Sequence, residues 1–158
     1  AKLEETFGAK VDDVFLEQGE KNNLSKDDVV ILASLLEREA KTNEEKPIIA
    51  GIILNRLEAQ VALQIDATVQ YAKGYGTAQN TWWPTVTVDD YQNIKSVYNT
   101  YLFVGLPPKP IANPGLESIK AAANPAQTSF YFYMHDRDGK VHYAETNEEH
   151  EQNKAEFL

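Results

Sequence analysis

Ser25-Lys-Asp-Asp-Val-Val-Ile-Leu-Ala-Ser-Leu-Leu-Glu-Arg-Glu39-Ala40 is the stretch from which the rest of the chain is read. Ser25 offers an N-cap, and Asp27 and Asp28 follow in the first turn, where the helix dipole favours carboxylates. The spacing predicts a helix to about Lys41. At about 100° per residue Leu32, Leu35 and Leu36 form one apolar stripe, and Glu39 falls on it. Glu37 is expected on the polar side, with Ala33 and Val30. A carboxyl that continues a leucine face into a core or a cleft floor loses hydration, which favours its protonated form. A general acid needs that form. The plainer alternative is a buried glutamate paired with an arginine such as Arg56, since structural ion pairs also perturb carboxyls.

Upstream, Phe7, Val11, Val14 and Phe15 recur at helical spacing between Leu3 and about Gln18, and Glu20-Lys-Asn-Asn23 closes the segment. Residues 1–24 are expected to supply a docking helix. Downstream, Thr42 and Asn43 break the glutamate helix. A third helix, with Pro47 near its start and Ile49, Ile52, Ile53 and Leu57 inside, continues to about Gln60. The two are expected to pack as a hairpin. Asp66 is a candidate N-cap for a short helix containing Val69, Gln70 and Tyr71, ended by Gly74-Tyr-Gly76. Thr77 to Tyr91, with Trp82, Trp83 and Pro84, reads as an irregular, flexible insertion.

Between Tyr98 and Gly115 four prolines and two glycines exclude a long helix or central strand. A rigid loop shaping a cleft is expected there. A helix from about Leu116 to Ala123 follows and stops before Pro125. Ser129–Met134 and Lys140–Ala144, flanking Asp136-Arg-Asp-Gly139, predict a β-hairpin. Thr146-x-x-Glu149 is a capping box opening a last helix. The class is α+β: a mostly helical domain with a small antiparallel hairpin, one domain over residues 1–158, with 25–158 as its core.

Composition narrows the partners. Against 24 Asp+Glu the chain has 15 Lys+Arg, a net charge of −9, so it lacks the basic footprint that nucleic acid requires. The absence of cysteine excludes a disulfide framework and thiolate chemistry. No apolar run approaches the ~20 residues of a membrane span. No signal peptide is visible, and the chain opens inside helix-like sequence, as expected of a piece of a longer, anchored protein. No phosphate loop, serine elbow or dinucleotide fingerprint is present. His135, His142 and His150 lack a zinc-ligand spacing. Neither metal nor cofactor is expected.

A carbohydrate cleft fits what remains. The proline loop, the polar-aromatic clusters Gln64–Tyr71 and Tyr98–Tyr101, and the two tryptophans offer ring faces for sugars and amides for hydroxyls. Asp66 is the candidate second carboxylate, because glycosidases pair an acid with a nucleophile or base. N-capping is its competing role.

Leu32-Ala-Ser-Leu-Leu-Glu-Arg-Glu39, Asn55-Arg-Leu57, Leu63-Gln-Ile-Asp-Ala-Thr-Val-Gln-Tyr71, Tyr98-Asn-Thr-Tyr101, Gly105-Leu-Pro-Pro-Lys-Pro-Ile-Ala-Asn-Pro-Gly115, and Gly139-x-x-His142 with His150 together resemble the endolytic murein transglycosylases, the YceG-like family. The order and spacing hold from about Val29 to the C-terminus. The resemblance puts the catalytic glutamate on Glu39. One departure is Ala67, where the family often carries proline after the aspartate; Thr77–Tyr91 matches no family motif.

The resemblance implies a lysozyme-like cleft and water-free cleavage of the bond between N-acetylmuramic acid and N-acetylglucosamine, leaving 1,6-anhydromuramyl ends. Glu39 would act as acid and then base. Gln64, Asp66, Tyr98, Asn99, Tyr101 and Asn113 are the candidates for holding the sugar or orienting Glu39. Implied partners are peptidoglycan glycan strands and the synthases that extend them, and the implied location is the extracytoplasmic face of a bacterial membrane, with the parent protein anchored there. Two alternatives stay open: a non-catalytic peptidoglycan-binding or scaffold module, and a muramidase using water with Asp66 or Glu145 as second carboxylate.

Overall fold

In the computed structural model, which describes residues 5, 6, 8–12, 14 and 24–158, Ser25 and Asp28 form a reciprocal capping box and open helix α1, Lys26–Glu39. The chain continues as α2 (Glu45–Glu58), α3 (Asp66–Lys73), α4 (Val88–Asn93), α5 (Leu116–Ala123), β1 (Phe132–His135), β2 (Val141–Ala144) and α6 (Asn147–Phe157). The fold is α+β, and its two strands form one antiparallel hairpin with Tyr133 opposite Tyr143. Gly139, at φ +86°, turns that hairpin in a conformation that disfavours side chains with a Cβ. The described residues between 5 and 14 are helical, and Val11 and Val14 join the core. Phe7, Phe15 and the rest of the predicted docking helix lie outside the described residues.

Helix α1 is the centre of the core. Val29 and every residue from Ile31 to Leu36 are buried; at about 1.5–3 kcal/mol for each fully buried leucine or isoleucine, this helix anchors the fold. The expected polar side is absent along its middle, because Ala33 is as buried as the leucines. Helix α5 covers that side: its Ala121, Ala122 and Ala123 are buried, and such small side chains let two helix backbones approach closely. α5, rather than the sequential neighbour α2, is therefore the principal partner of α1, although α1 and α2 also touch. The proline loop lies over the same helix. Ile111 N donates to Ser34 Oγ at 3.0 Å, and Ser34 Oγ donates to Ile31 O at 2.7 Å.

Helix α2 sets the hairpin in place. A Cβ on Gly51 would stand 2.1 Å from Ala126 O, so only glycine lets the helix lie against the segment leading into β1. One turn on, Asn55 Nδ2 donates to the carbonyls of Thr128 and Phe130, and Arg56 Nε donates to Tyr131 O at 2.7 Å. These bonds fix the register at which β1 passes the end of α1.

The aromatic insertion is ordered. Gly76 and Thr81 form a β-bridge, Thr85 N donates to Gln79 Oε1 at 2.7 Å, and Thr87 with Asp90 caps α4 reciprocally. Lys73 reaches across to Asp90 at 2.7 Å. Turn and cap chemistry among polar residues supplies the order that its lack of hydrophobic periodicity concealed.

Candidate active site

Glu39 is the last residue of α1. A cleft of about 690 Å³ opens at this end, lined among others by Arg38, Glu39, Arg56, Gln64, Asp66, Tyr101, Tyr133 and His150. Tyr133 Oη donates to Glu39 Oε2 at 2.6 Å. Burial pushes the Glu39 carboxyl above the ordinary range; the Tyr133 bond opposes this, the charge of Asp66 adds to it, and His135 and Arg38 oppose it more weakly. The helix C-terminus, with its negative dipole end, also disfavours a carboxylate there. The result is a partly exposed carboxyl biased toward its protonated form.

Arg56 does not pair with Glu39. Its Nη1 donates to the carbonyls of Ala62 and Leu63, both at 2.9 Å, and its Nε to Tyr131 O. The guanidinium lies over the Phe132 ring, 4.9 Å from its centroid. A buried cation satisfied by carbonyls organises backbone rather than neutralising an acid.

Asp66 does not cap α3 either. The N-cap is Ile65, which makes no side-chain cap bond, and Asp66 stands at the first helical position. Both carboxylate oxygens are engaged from outside the helix: Tyr101 Oη donates to Oδ1 at 2.5 Å and Tyr91 Oη to Oδ2 at 3.1 Å. The two rings stack with centroids 4.2 Å apart. Burial, followed by the bond to Asp66, drives the Tyr101 phenol far above its usual value.

Gln64 enters the cleft with φ 55°, a left-handed conformation rare for residues other than glycine. The backbone bond from Gln64 N to Thr100 O, at 3.1 Å, holds it there. Thus Glu39, Gln64, Asp66 and Tyr101 meet in one cleft, and three other candidates do not line it. Asn99 is completely buried; its Nδ2 donates to Tyr91 O and Ile94 O and its Oδ1 accepts from Tyr101 N. It builds the turn that presents Tyr101 and cannot touch a sugar. Tyr98 packs on Tyr71 with centroids 4.9 Å apart. Asn113 is exposed on the proline-bearing stretch 105–115, which contributes no residue to the cleft lining, in contrast to the expected cleft-shaping role. Glu145 accepts from Ser129 Oγ at 2.5 Å and also lies outside the cleft lining.

Sequence reading missed Tyr133. Strand alternation groups Tyr131, Tyr133 and His135 on one face opposite the buried Met134, a signal that was available; which face meets α1 follows only from the α2 contacts. His135 Nε2 pairs with Glu45 Oε2 at 2.9 Å, tying the strand to the start of α2. The buried Thr68–Thr100 pair, with hydroxyls 2.9 Å apart, joins α3 to the Tyr101 turn and was equally unforeseen. His150 stacks on Phe132 at 5.2 Å, and its Nδ1 is buried without a partner among the described residues. Burial, then the charge of Lys154, lowers its basicity.

A family model described as the YceG-like family matches residues 1–156. Among curated relatives, the endolytic murein transglycosylase of Streptococcus pneumoniae D39 is 35% identical over 137 residues, covering 86% of this chain and 24% of the relative. That of Bacillus subtilis 168 is 36% identical over 138 residues, covering 87% of this chain and 36% of the relative. The chain therefore spans about a quarter to a third of the length of these relatives. A solved structure of a YceG-like protein from Listeria monocytogenes superposes with a TM-score of 0.75 at 33% identity, over 91% of this chain and 43% of that one. On the family match and on relatives of this identity, the chain belongs to the YceG-like family.

Proposed function

We propose that the cleft belongs to an endolytic peptidoglycan transglycosylase, which cuts the bond between N-acetylmuramic acid and N-acetylglucosamine within a strand and leaves 1,6-anhydromuramyl ends. The observation that carries this reading is Glu39, a desolvated carboxyl whose Oε2 accepts from Tyr133 and whose Oε1 has no hydrogen-bond partner among the described residues. The names of the relatives support the same reading.

Because Oε2 is the acceptor of the tyrosine hydroxyl, the acidic proton belongs on Oε1. Glu39 Oε1–H gives its proton to the glycosidic oxygen as the C1–O bond breaks and charge develops at C1 of the muramyl ring. The carboxylate then takes the proton of that sugar's C6 hydroxyl, and O6 bonds to C1. Glu39 ends protonated and no water is consumed. Attack from within the same sugar benefits from a high effective concentration. Asp66, clamped by two tyrosines, supplies an anion near the developing positive charge and adds to the upward shift that burial gives Glu39.

Peptidoglycan lies outside the bacterial cytoplasmic membrane, so this reading carries its compartment with it. Anchoring of the whole protein and cutting of nascent strands beside their synthases belong to the same proposal. A muramidase needs a second carboxylate free to activate water or attack, and both oxygens of Asp66 already accept hydroxyl bonds. A scaffold module has no use for a desolvated acid. Glu39→Gln is the test: loss of strand cleavage with thermal unfolding unimpaired supports the reading, and retained cleavage rejects it.

A further inference from the structure

Trp82 is 69% exposed, more than any other large apolar side chain among the described residues. It is nevertheless held on a stiff turn. Tyr75 meets it edge-on with centroids 5.1 Å apart, and Tyr75 Oη donates to Asn80 Oδ1. Gly76 N donates to Thr81 O at 2.8 Å, and Pro84 packs so tightly on Gly76 that a Cβ there would come within 2.7 Å. An aromatic pair presented to solvent on a fixed backbone keeps its apolar face uncovered at a hydration cost, with little ordering left to do on binding.

Neither ring lines the cleft itself, and the chain connects the pair to it by two routes. Trp83, the next residue, turns inward beneath the Arg38 guanidinium at 3.9 Å, and Arg38 lines the cleft beside Glu39. Asp66, Ala67 and Gln70 of α3 also line the cleft, and the same helix ends at Gly74, immediately before Tyr75.

We propose that Tyr75 and Trp82 form a stacking subsite for a sugar ring of the glycan strand, distal to the bond that Glu39 cuts. This rests on the function proposed above. An enzyme that cuts inside a polymer must accommodate strand on both sides of the broken bond, and a cleft of about 690 Å³ holds only a short part of it. The strand leaving the cleft crosses the surface, where a ring offering C–H bonds on one face and hydroxyls around its edge matches an exposed indole. A membrane surface is the poorer occupant, because the chain carries a net charge of −9 and the cytoplasmic-membrane lipids that attract proteins electrostatically are anionic.

The test uses the Glu39→Gln protein titrated by calorimetry with peptide-free peptidoglycan oligomers of four and of eight sugars. The longer oligomer should bind roughly fivefold to tenfold more tightly, as expected for one more apolar face buried. Adding Trp82→Ala should erase that advantage and leave the four-sugar affinity and the thermal midpoint unchanged, while Trp82→Phe should keep part of it. An equal length advantage with Trp82→Ala, or none in the parent, overturns the subsite. So does a Trp82→Ala defect confined to binding of phosphatidylglycerol vesicles. If neither oligomer binds, the function proposed for the cleft fails and the subsite falls with it.

Discussion

Tyr133 Oη donates a 2.6 Å hydrogen bond to Glu39 Oε2 across 94 residues of sequence. That bond both aims the acid and restrains its pKa, since it favours the carboxylate against burial. Tyr133→Phe removes it without changing the ring. Activity should fall at least tenfold with little change in KM, on the scale of a hydrogen bond to a charged group, about 1.5–3 kcal/mol. The alkaline limb of the pH–rate profile should move up, because the lost bond had favoured ionisation. An unchanged limb would deny Tyr133 this role.

Asp66→Asn should move that limb the other way. The charge of Asp66 raises the Glu39 pKa, so neutralising it lowers the pH at which Glu39 ionises. The amide offers one acceptor oxygen and one NH2 donor, so one of the two tyrosine hydroxyls must turn from donating to accepting. Activity should drop, but less than with Glu39→Gln, because Asp66 neither donates nor accepts the transferred proton. Complete and equal inactivation in a folded protein would favour a two-carboxylate hydrolase.

Glu39 should limit stability at neutral pH. Its folded pKa lies above the ~4.3 of a free glutamate, so the folded state holds the proton more tightly than the unfolded chain. The stability tied to that proton is present at low pH and is lost as pH rises through the folded pKa. Glu39→Gln should therefore unfold at a higher temperature than the parent at pH 7, with the difference closing near pH 4. Calorimetric scans at the two pH values decide this; a variant less stable at pH 7 would contradict the burial assigned to Glu39.

Glu37, two residues away, should behave oppositely. It accepts from Gly115 N at 3.1 Å and Ser118 Oγ at 2.5 Å, closing the N-terminus of α5, with Lys46 at 3.8 Å. The Ser118 bond holds its pKa down against the upward push of burial, helped by Gly115 N–H and by the charges of Lys46 and Arg38. This contribution is present above the unfolded pKa and fades as pH falls through the lowered one. Glu37→Gln should cost about 1 kcal/mol at pH 7, near the low end for a cap because the carboxylate is a third exposed. Cleavage per folded molecule should be retained; loss of cleavage with stability intact would undo the assignment.

The contrast between these two glutamates shows where sequence reading succeeds and stops. Caps at Ser25 and Thr146 and the position of Glu39 on the leucine face are local and periodic, and they were legible. That Glu37 would cap another helix depends on α5 crossing α1, a long-range packing choice set by small alanines. Polar residue type was equally ambiguous at the cleft. Asn99 and Tyr101 sit two residues apart and both carry groups that could bind a sugar, yet one is spent on holding the turn and the other faces Asp66. Tyr133 was hidden because alternation names a strand's faces without saying what each meets.

The origin of the oxygen at the new muramyl end tests the central claim most directly. Glycan strands digested in ¹⁸O-labelled water and analysed by mass spectrometry should yield 1,6-anhydromuramyl ends without label across the active pH range, because O6 of the substrate is the nucleophile. Hydrated reducing ends carrying ¹⁸O would contradict the account and mark the cleft as that of a hydrolase.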